Sequence, residues 1–242
     1  MSIAEKLTTI AENMAKLQLA TKSWFDKGRK QQEIDFWNTL QSNGNRKNYD
    51  YAFAGTTWTN KILNPPYAMQ PSSSMRMFLN SGYIGDLRDI SPNKSLFDFS
   101  KSTSTESLFG YATQLTKVGV IDISSSNTIS GMFTNCSALI EIEKLVFKND
   151  GSQTPGTSIF QKCYALQNIV IGGVIGNSIS FGDSKSLTKD SIVSIINALK
   201  DDASGQTLTL SQTAKNNAFS TYVTAEWTDL VASKSNWTIS LV

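Results

Sequence analysis

The chain has no histidine among its 242 residues. That absence excludes serine–histidine and cysteine–histidine nucleophile pairs, imidazole proton transfer and the commonest zinc ligand sets. Cysteine is scarce: Cys136 and Cys163 are too few for a disulfide framework, and without histidine they make a poor metal site. Neither sign of charge is in excess, with 22 basic residues against 20 acidic ones. Only Lys27, Arg29 and Lys30 cluster. The dense basic stripe that phosphate neutralisation needs is therefore missing, and nucleic acid is not an expected partner. No apolar run approaches the roughly 20 residues that span a bilayer, so membrane insertion is not expected. The opening Met1-Ser2-Ile3-Ala4-Glu5-Lys6, with Glu12 soon after, has no continuous apolar core. It does not read as a secretory signal, so synthesis in a cytoplasm without signal-peptide export is the expectation. No glycine-rich loop leads into Lys-Ser or Lys-Thr, and no paired-acid motif stands out. A protein that is not an enzyme, and that needs no cofactor and no metal, is expected.

What is present argues for a folded chain, with 40% hydrophobic and 17% charged residues. Ile3, Leu7, Ile10, Met14 and Leu17 fall in alternating steps of four and three, a narrow heptad seam of about three heptads. With Leu7 and Met14 at position a, isoleucine and leucine fall at d, a pattern that favours trimers or tetramers. The seam serves either a self-association helix, with a homotrimer favoured, or one amphipathic helix packed on its own domain. A second helical pattern through Ile34, Trp37 and Leu40 ends at Ser42-Asn43-Gly44-Asn45. Residues 48–74 then mix Tyr49, Tyr51, Phe53, Trp58 and Tyr67 with Gly55, Pro65, Pro66 and Pro71. This reads as an ordered connector with packed aromatics, or alternatively as an aromatic platform for carbohydrate.

Four segments in the middle of the chain align with one another. They are Met77-Phe78 to Leu87, Leu108-Phe109 to Val118, Met132-Phe133 to Ile142, and Ile159-Phe160 to Ile169. Each carries an apolar residue before Phe, a small residue three later (Ser81, Ala112, Cys136, Cys163) and aliphatics six and nine later. The phenylalanines lie 31, 24 and 27 residues apart, so the unit is constant and the connections vary. The Phe and small residue suit a short helical turn and the aliphatics a strand. Stacked copies would bury one continuous core, each phenylalanine on the next and the two cysteines as stacked core thiols. At the far end, Ile192, Ile195, Ile196 and Leu199 share a helical face behind a Thr188 cap. Thr207–Leu210 and Trp237–Leu241 alternate like strands, Ala214–Phe219 and Glu226–Lys234 read as helical, and Trp227 and Trp237 read as cap core.

The segments MFTNCSALIEI and IFQKCYALQNIVI resemble the BspA-like subclass of leucine-rich repeats over about residues 75–180, although the first two segments lack the cysteine. The opening MSIAEKLTTIAENMAKL, the later DFWNTLQSNGNRKNYDYAFAG and the closing SNWTISLV are similar to prophage-encoded repeat proteins of gut Firmicutes. The resemblance implies an α+β chain: a coiled-coil-like N-terminal segment, a short leucine-rich-repeat solenoid and an α/β C-terminal cap. Its expected divisions are 1–45 (oligomerisation), 46–74 (connector), 75–185 (repeats) and 186–242 (cap). It implies a phage virion protein of the tail or fibre, structural or for host attachment, assembled in a bacterial cytoplasm. Expected partners are itself, other virion proteins and a host-surface glycan or protein. A cell-surface or secreted adhesin is the alternative. If the sheet face carries the ligand, strand alternation makes Asp86, Arg88, Lys117, Glu141, Glu143 and Asn168 the outward candidates; the plainer reading is a solvated face. Glu141 and Glu143 sharing a face are also the one acid pair a glycan-cleaving reading could use.

Overall fold

The computed structural model describes residues 48–55, 70–81, 85–86 (backbone), 97–156, 158–222 and 224–242. The chain divides into two compact units, Met1–Asn45 and Arg46–Val242, and the described residues belong to the second. The heptad seam at Ile3, Leu7, Ile10, Met14 and Leu17 lies outside the described residues, as do Arg88, Trp58 and Tyr67.

Aliphatic spacing after each Phe segment produces parallel strands: β1 (Gly85–Asp86), β2 (Leu115–Asp122), β3 (Glu141–Val146) and β4 (Asn168–Gly172). They form one sheet in the order β1-β2-β3-β4. Val118, Ile142 and Ile169 share one cross-strand row, and Ile121, Leu145 and Ile171 another. Those rows form the inner face, as expected where a parallel sheet is covered by its own connections.

The phenylalanines stack in a single column. Phe78, Phe109, Phe133 and Phe160 follow one another at centroid spacings of 5.4, 5.5 and 5.6 Å, with ring planes within 13°. Phe53 extends the column above Phe78 at 5.2 Å, and Phe181 extends it below Phe160 at 4.5 Å.

The segment around each Phe is not the helical turn its residues suggest. Its amides alternate in direction. Ser107, Phe109 and Tyr111 donate to the carbonyls of Ser130, Met132 and Thr134 in the next segment, whereas Leu108, Gly110 and Ala112 turn back to Thr105, Ser107 and Phe109. The same alternation holds around Phe53 and Phe78. A helix keeps its amides for its own carbonyls; here every second one crosses to a neighbour. Alternation requires backbone of alternating hand, and Tyr51, Arg76, Asn80, Ser107, Tyr111, Asn135 and Lys162 have φ between 50° and 62°. Such residues cost roughly 1–2 kcal/mol each, offset by bonds between segments. The amide of Lys162 donates instead to the carboxylate of Asp183 at 2.7 Å, which stands in for the next carbonyl.

The expected leucine-rich-repeat solenoid with a separate α/β cap is not the fold. The described residues are α+β, with two parallel sheets and three short helices. A continuing solenoid would set a fifth strand beside β4. Helix α1 (Lys189–Asn197) lies there instead. The amides of Ile169 and Ile171 donate to the hydroxyls of Ser191 and Ser194 at 3.0 and 2.9 Å, which closes the sheet. Strand pairing resumes in a second sheet, ordered β5-β6-β7, from β5 (Ile179–Phe181), β6 (Gln206–Leu210) and β7 (Trp237–Leu241). Helices α2 (Gln212–Phe219) and α3 (Ala225–Ala232) fall between β6 and β7. β5 precedes the cap boundary expected at 186, yet it pairs with β6 and puts Phe181 on the aromatic column. Serine spacing on α1 overrides the repeat at this point.

Side-chain amides fill gaps in the backbone ladder. Buried Gln153 donates to the carbonyls of Ile123 and Ser126 and accepts from the amide of Lys148. Lys234 donates to Leu199 O at 2.7 Å and to Asp201, while the Trp237 indole donates to Lys200 O, so the turn before β7 and its first residue clamp the loop after α1. Among the described residues two buried hydroxyls are left over: Ser81 Oγ and Thr105 Oγ1 have no hydrogen-bond partner, and Thr105 is the more deeply buried at 0% exposure. Thr105→Val keeps the volume and removes the orphan, so it should raise stability by about 1 kcal/mol. Urea unfolding checks this; a loss of stability would contradict the assignment.

Candidate functional site

Backbone register brings four of the six sheet candidates into one row. Asp86 lies opposite Lys117, Lys117 opposite Glu141, and Glu141 opposite Asn168. The Lys117 ammonium reaches the Glu141 carboxylate at 3.3 Å. At the end of the row the hydroxyl of Thr188 donates to Asn168 Oδ1 at 3.3 Å. Thr188 also caps α1 by accepting from the Ser191 amide, so the row continues onto the helix. Lys117 and Glu141 keep 34% and 23% of their side-chain surface in contact with solvent, a setting in which an ion pair contributes only about 0.2–1 kcal/mol.

Glu143 is placed differently. In β3 the buried residues are Ile142 and Leu145, three apart, with Glu143 and Lys144 both exposed between them. In β2 the buried positions Leu115, Val118 and Ile121 are again three apart. Strict alternation is thus corrected. The pairing of β3 with β4 shifts register between Ile142 and Leu145, and two consecutive residues face outward there. A second outward row follows, with Val120 opposite Lys144. Val120 and, on β4, Val170 are exposed at 40% and 49%.

The connector aromatics separate into two kinds. Tyr49 and Phe53 are buried in the core. Tyr51 is exposed, with the Arg76 guanidinium 5.6 Å above its ring and donating to its hydroxyl. Arg76 also pairs with Glu106 at 3.1 Å. That cluster is a closed cation–π and ion-pair set.

The cysteines are fully buried thiols. Each donates to a carbonyl of the preceding segment, Cys136 to Phe109 O at 3.0 Å and Cys163 to Phe133 O at 3.1 Å. Burial pushes the Cys136 thiol well above its usual range and the Cys163 thiol up to about 12. A thiolate, the reactive form, is therefore disfavoured at both. Trp227 and Trp237 are buried. Among the described residues no three His, Cys, Asp or Glu side chains are grouped to hold a metal ion, and no helix is long and apolar enough to cross a membrane.

The repeat alignment stops short of both ends of the aromatic column. Ala52-Phe53 has the same apolar–Phe form and could have been included. Phe181 follows Ser180 and carries no such signal. The serines that close β4, Ser191 and Ser194, carry no sequence signal for that role beyond lying on the helix of Ile192 and Ile195.

Fold and site together define a class: a stacked, parallel α+β scaffold that displays rows of mixed polar side chains on one sheet face. Comparison with protein-family models, with curated proteins and with solved structures gives no match for this chain.

Proposed function

We propose that the chain is a non-enzymatic phage virion component, a tail or fibre protein for structure or host attachment, carried on a homo-oligomer. The observation that carries this reading is the stacking itself. An aromatic column from Phe53 to Phe181 and backbone bonds between successive segments make a stiff scaffold. Stiffness suits display: side chains held in register present a fixed pattern without ordering cost on binding. The row Asp86–Lys117–Glu141–Asn168, with Glu143 beside it, is the proposed contact surface for a host glycan or protein. Several copies brought together by the heptad seam of residues 3–17 would raise avidity without new contacts. The likeness of the chain's opening and closing segments to prophage-encoded proteins supports the virion over other display systems.

The test is mass spectrometry of particles released when the encoding strain is induced. The chain should be enriched in purified particles. Recovery from the cell-wall fraction and not from particles would replace this reading with the surface-adhesin one. For the contact surface, the full chain carrying Lys117→Glu and Glu143→Lys should lose at least tenfold in attachment to host cells while losing only about 1 kcal/mol of stability with the exposed Lys117–Glu141 pair. Unaltered attachment would remove the row from the interface.

A further inference from the structure

Among the described residues β7 is the outer strand of the second sheet, and its apolar face is less covered than that of the inner strands. Its two apolar rows run Ile179–Leu208–Ile239 and Phe181–Leu210–Leu241. The four residues on β5 and β6 are at most 1% exposed. Ile239 and Leu241, in the same rows, are only partly buried. A further strand beside β7 would bury them.

The backbone of β7 is ready for one. The Val242 amide donates to Leu210 O, and its carbonyl accepts from the Gln212 amide, so both groups of that residue face β6. Alternate residues of a strand turn their polar groups to opposite sides. Ser240 therefore faces β6 as well, and Ile239 and Leu241 direct their N–H and C=O groups outward. Edge strands are ordinarily blunted by charge, proline or a bulge. From Trp237 to Leu241 there is no charged residue and no proline, and pairing with β6 is unbroken over five residues. β4 offers the contrast, since hydroxyls of α1 close its edge.

We infer that the outer edge of β7 docks the same strand of a second copy, antiparallel, about a two-fold axis at Ser240. A strand that fits this edge needs outward amide groups at two positions with aliphatic side chains on the core face, small hydroxyl residues on the other face, and no charge. β7 meets each requirement itself. With Ser240 opposite its own copy, Ile239 lies opposite Leu241 and Leu241 opposite Ile239. Each of these pairs exchanges two hydrogen bonds, and the intervening Ser240 pair makes none, the alternation of an antiparallel ladder. The axis is perpendicular to the sheet, so Ile239 and Leu241 of both copies meet on the core side and the serines on the other. The contact is isologous and closes on itself, which ends growth at two copies per edge.

Ser240 gives the experiment, done on the full chain. Its side chain lies opposite the apolar rows, so substitution leaves the core intact. Across a non-hydrogen-bonded antiparallel pair the Cα atoms are about 4.5 Å apart, within disulfide reach. Ser240→Cys should therefore convert under mild oxidant to a covalent dimer whose peptide map shows a 240–240 bond, with Cys136 and Cys163 remaining reduced. Ser240→Lys sets two ammonium groups face to face, which opposes pairing. It should halve the mass in solution with the circular dichroism unchanged, and mixing it with Ser240→Asp should restore the mass. No 240–240 bond in the cysteine variant overturns the inference. So does an unchanged mass for Ser240→Lys, because an oligomer held only by residues 1–45 would be indifferent to that charge. Failure here leaves the virion reading standing, since particle association is measured separately.

Discussion

Phe133→Ala should lower the unfolding free energy by about 3–5 kcal/mol, the range for truncating a buried aromatic ring. Phe133 is 0% exposed and holds a ring on each side, Phe109 at 5.5 Å and Phe160 at 5.6 Å. Two stacking partners add about 0.5–1.5 kcal/mol each beyond area burial. The site also resists collapse, because the segments above and below are held apart by their own backbone bonds, Phe133 N to Ile159 O and Phe109 N to Met132 O. A cavity that cannot close keeps its full cost. Set against a typical domain stability of about 5–15 kcal/mol, this one change should remove much of the margin. Phe133→Leu, which refills part of the volume, should fall between. Urea unfolding followed by circular dichroism measures both; a cost below about 1 kcal/mol for alanine would show that the column is not a main source of stability.

The second large effect is expected at Gly176, for a reason that has nothing to do with a left-handed backbone. A Cβ at Gly176 would stand 2.1 Å from the carbonyl oxygen of Gly151 and 3.0 Å from its Cα. Both neighbours are main chain, so no side chain can swing away. The same carbonyl accepts from the side-chain Nδ2 of Asn177, which ties the two segments together. Gly176→Ala must therefore push successive layers apart, and should cost about 3 kcal/mol or more, the upper end for overpacking. Gly205→Ala supplies the comparison. Gly205 has φ of +68° and nothing within 4 Å of a built Cβ, so alanine there should cost only the conformational penalty of about 1–2 kcal/mol. Thermal unfolding of the two variants should rank Gly176→Ala well below Gly205→Ala. The reverse order would mean that backbone hand, and not contact between layers, governs these glycines.

The stacking of the phenylalanines was legible because the alignment of four apolar–Phe segments places chemically alike residues at one depth, and only like residues can share a column. The burial of Cys136 and Cys163 followed from the same argument. The candidate row was partly legible. Lys117, Glu141 and Asn168 hold equivalent places in their segments and do fall side by side, whereas Glu143 was assigned by a two-residue period that β3 does not keep. A register shift depends on what the neighbouring strand offers, and no local pattern records it.

The leucine-rich-repeat expectation failed for a related reason. It assumed that the amides around each Phe close on themselves in a helical turn and that a separate cap begins only after residue 185. Ser107, Phe109 and Tyr111 are as compatible with a helix as with the alternating turn they form. What decides is the presence of the Ser130, Met132 and Thr134 carbonyls one layer away. Likewise Ser191 and Ser194 read as ordinary polar helix residues until the open amides of Ile169 and Ile171 lie against them.

By itself, then, the sequence determined which residues are core, that they recur at matching places, and that histidine-based chemistry is absent, because composition and hydrophobic spacing are properties of the chain alone. The tertiary structure decided which amides cross to the next segment and the point at which one sheet stops and another begins. Each of those is settled by a hydrogen-bond partner some 20 to 35 residues distant, and pairing over that range exists only once the layers are stacked.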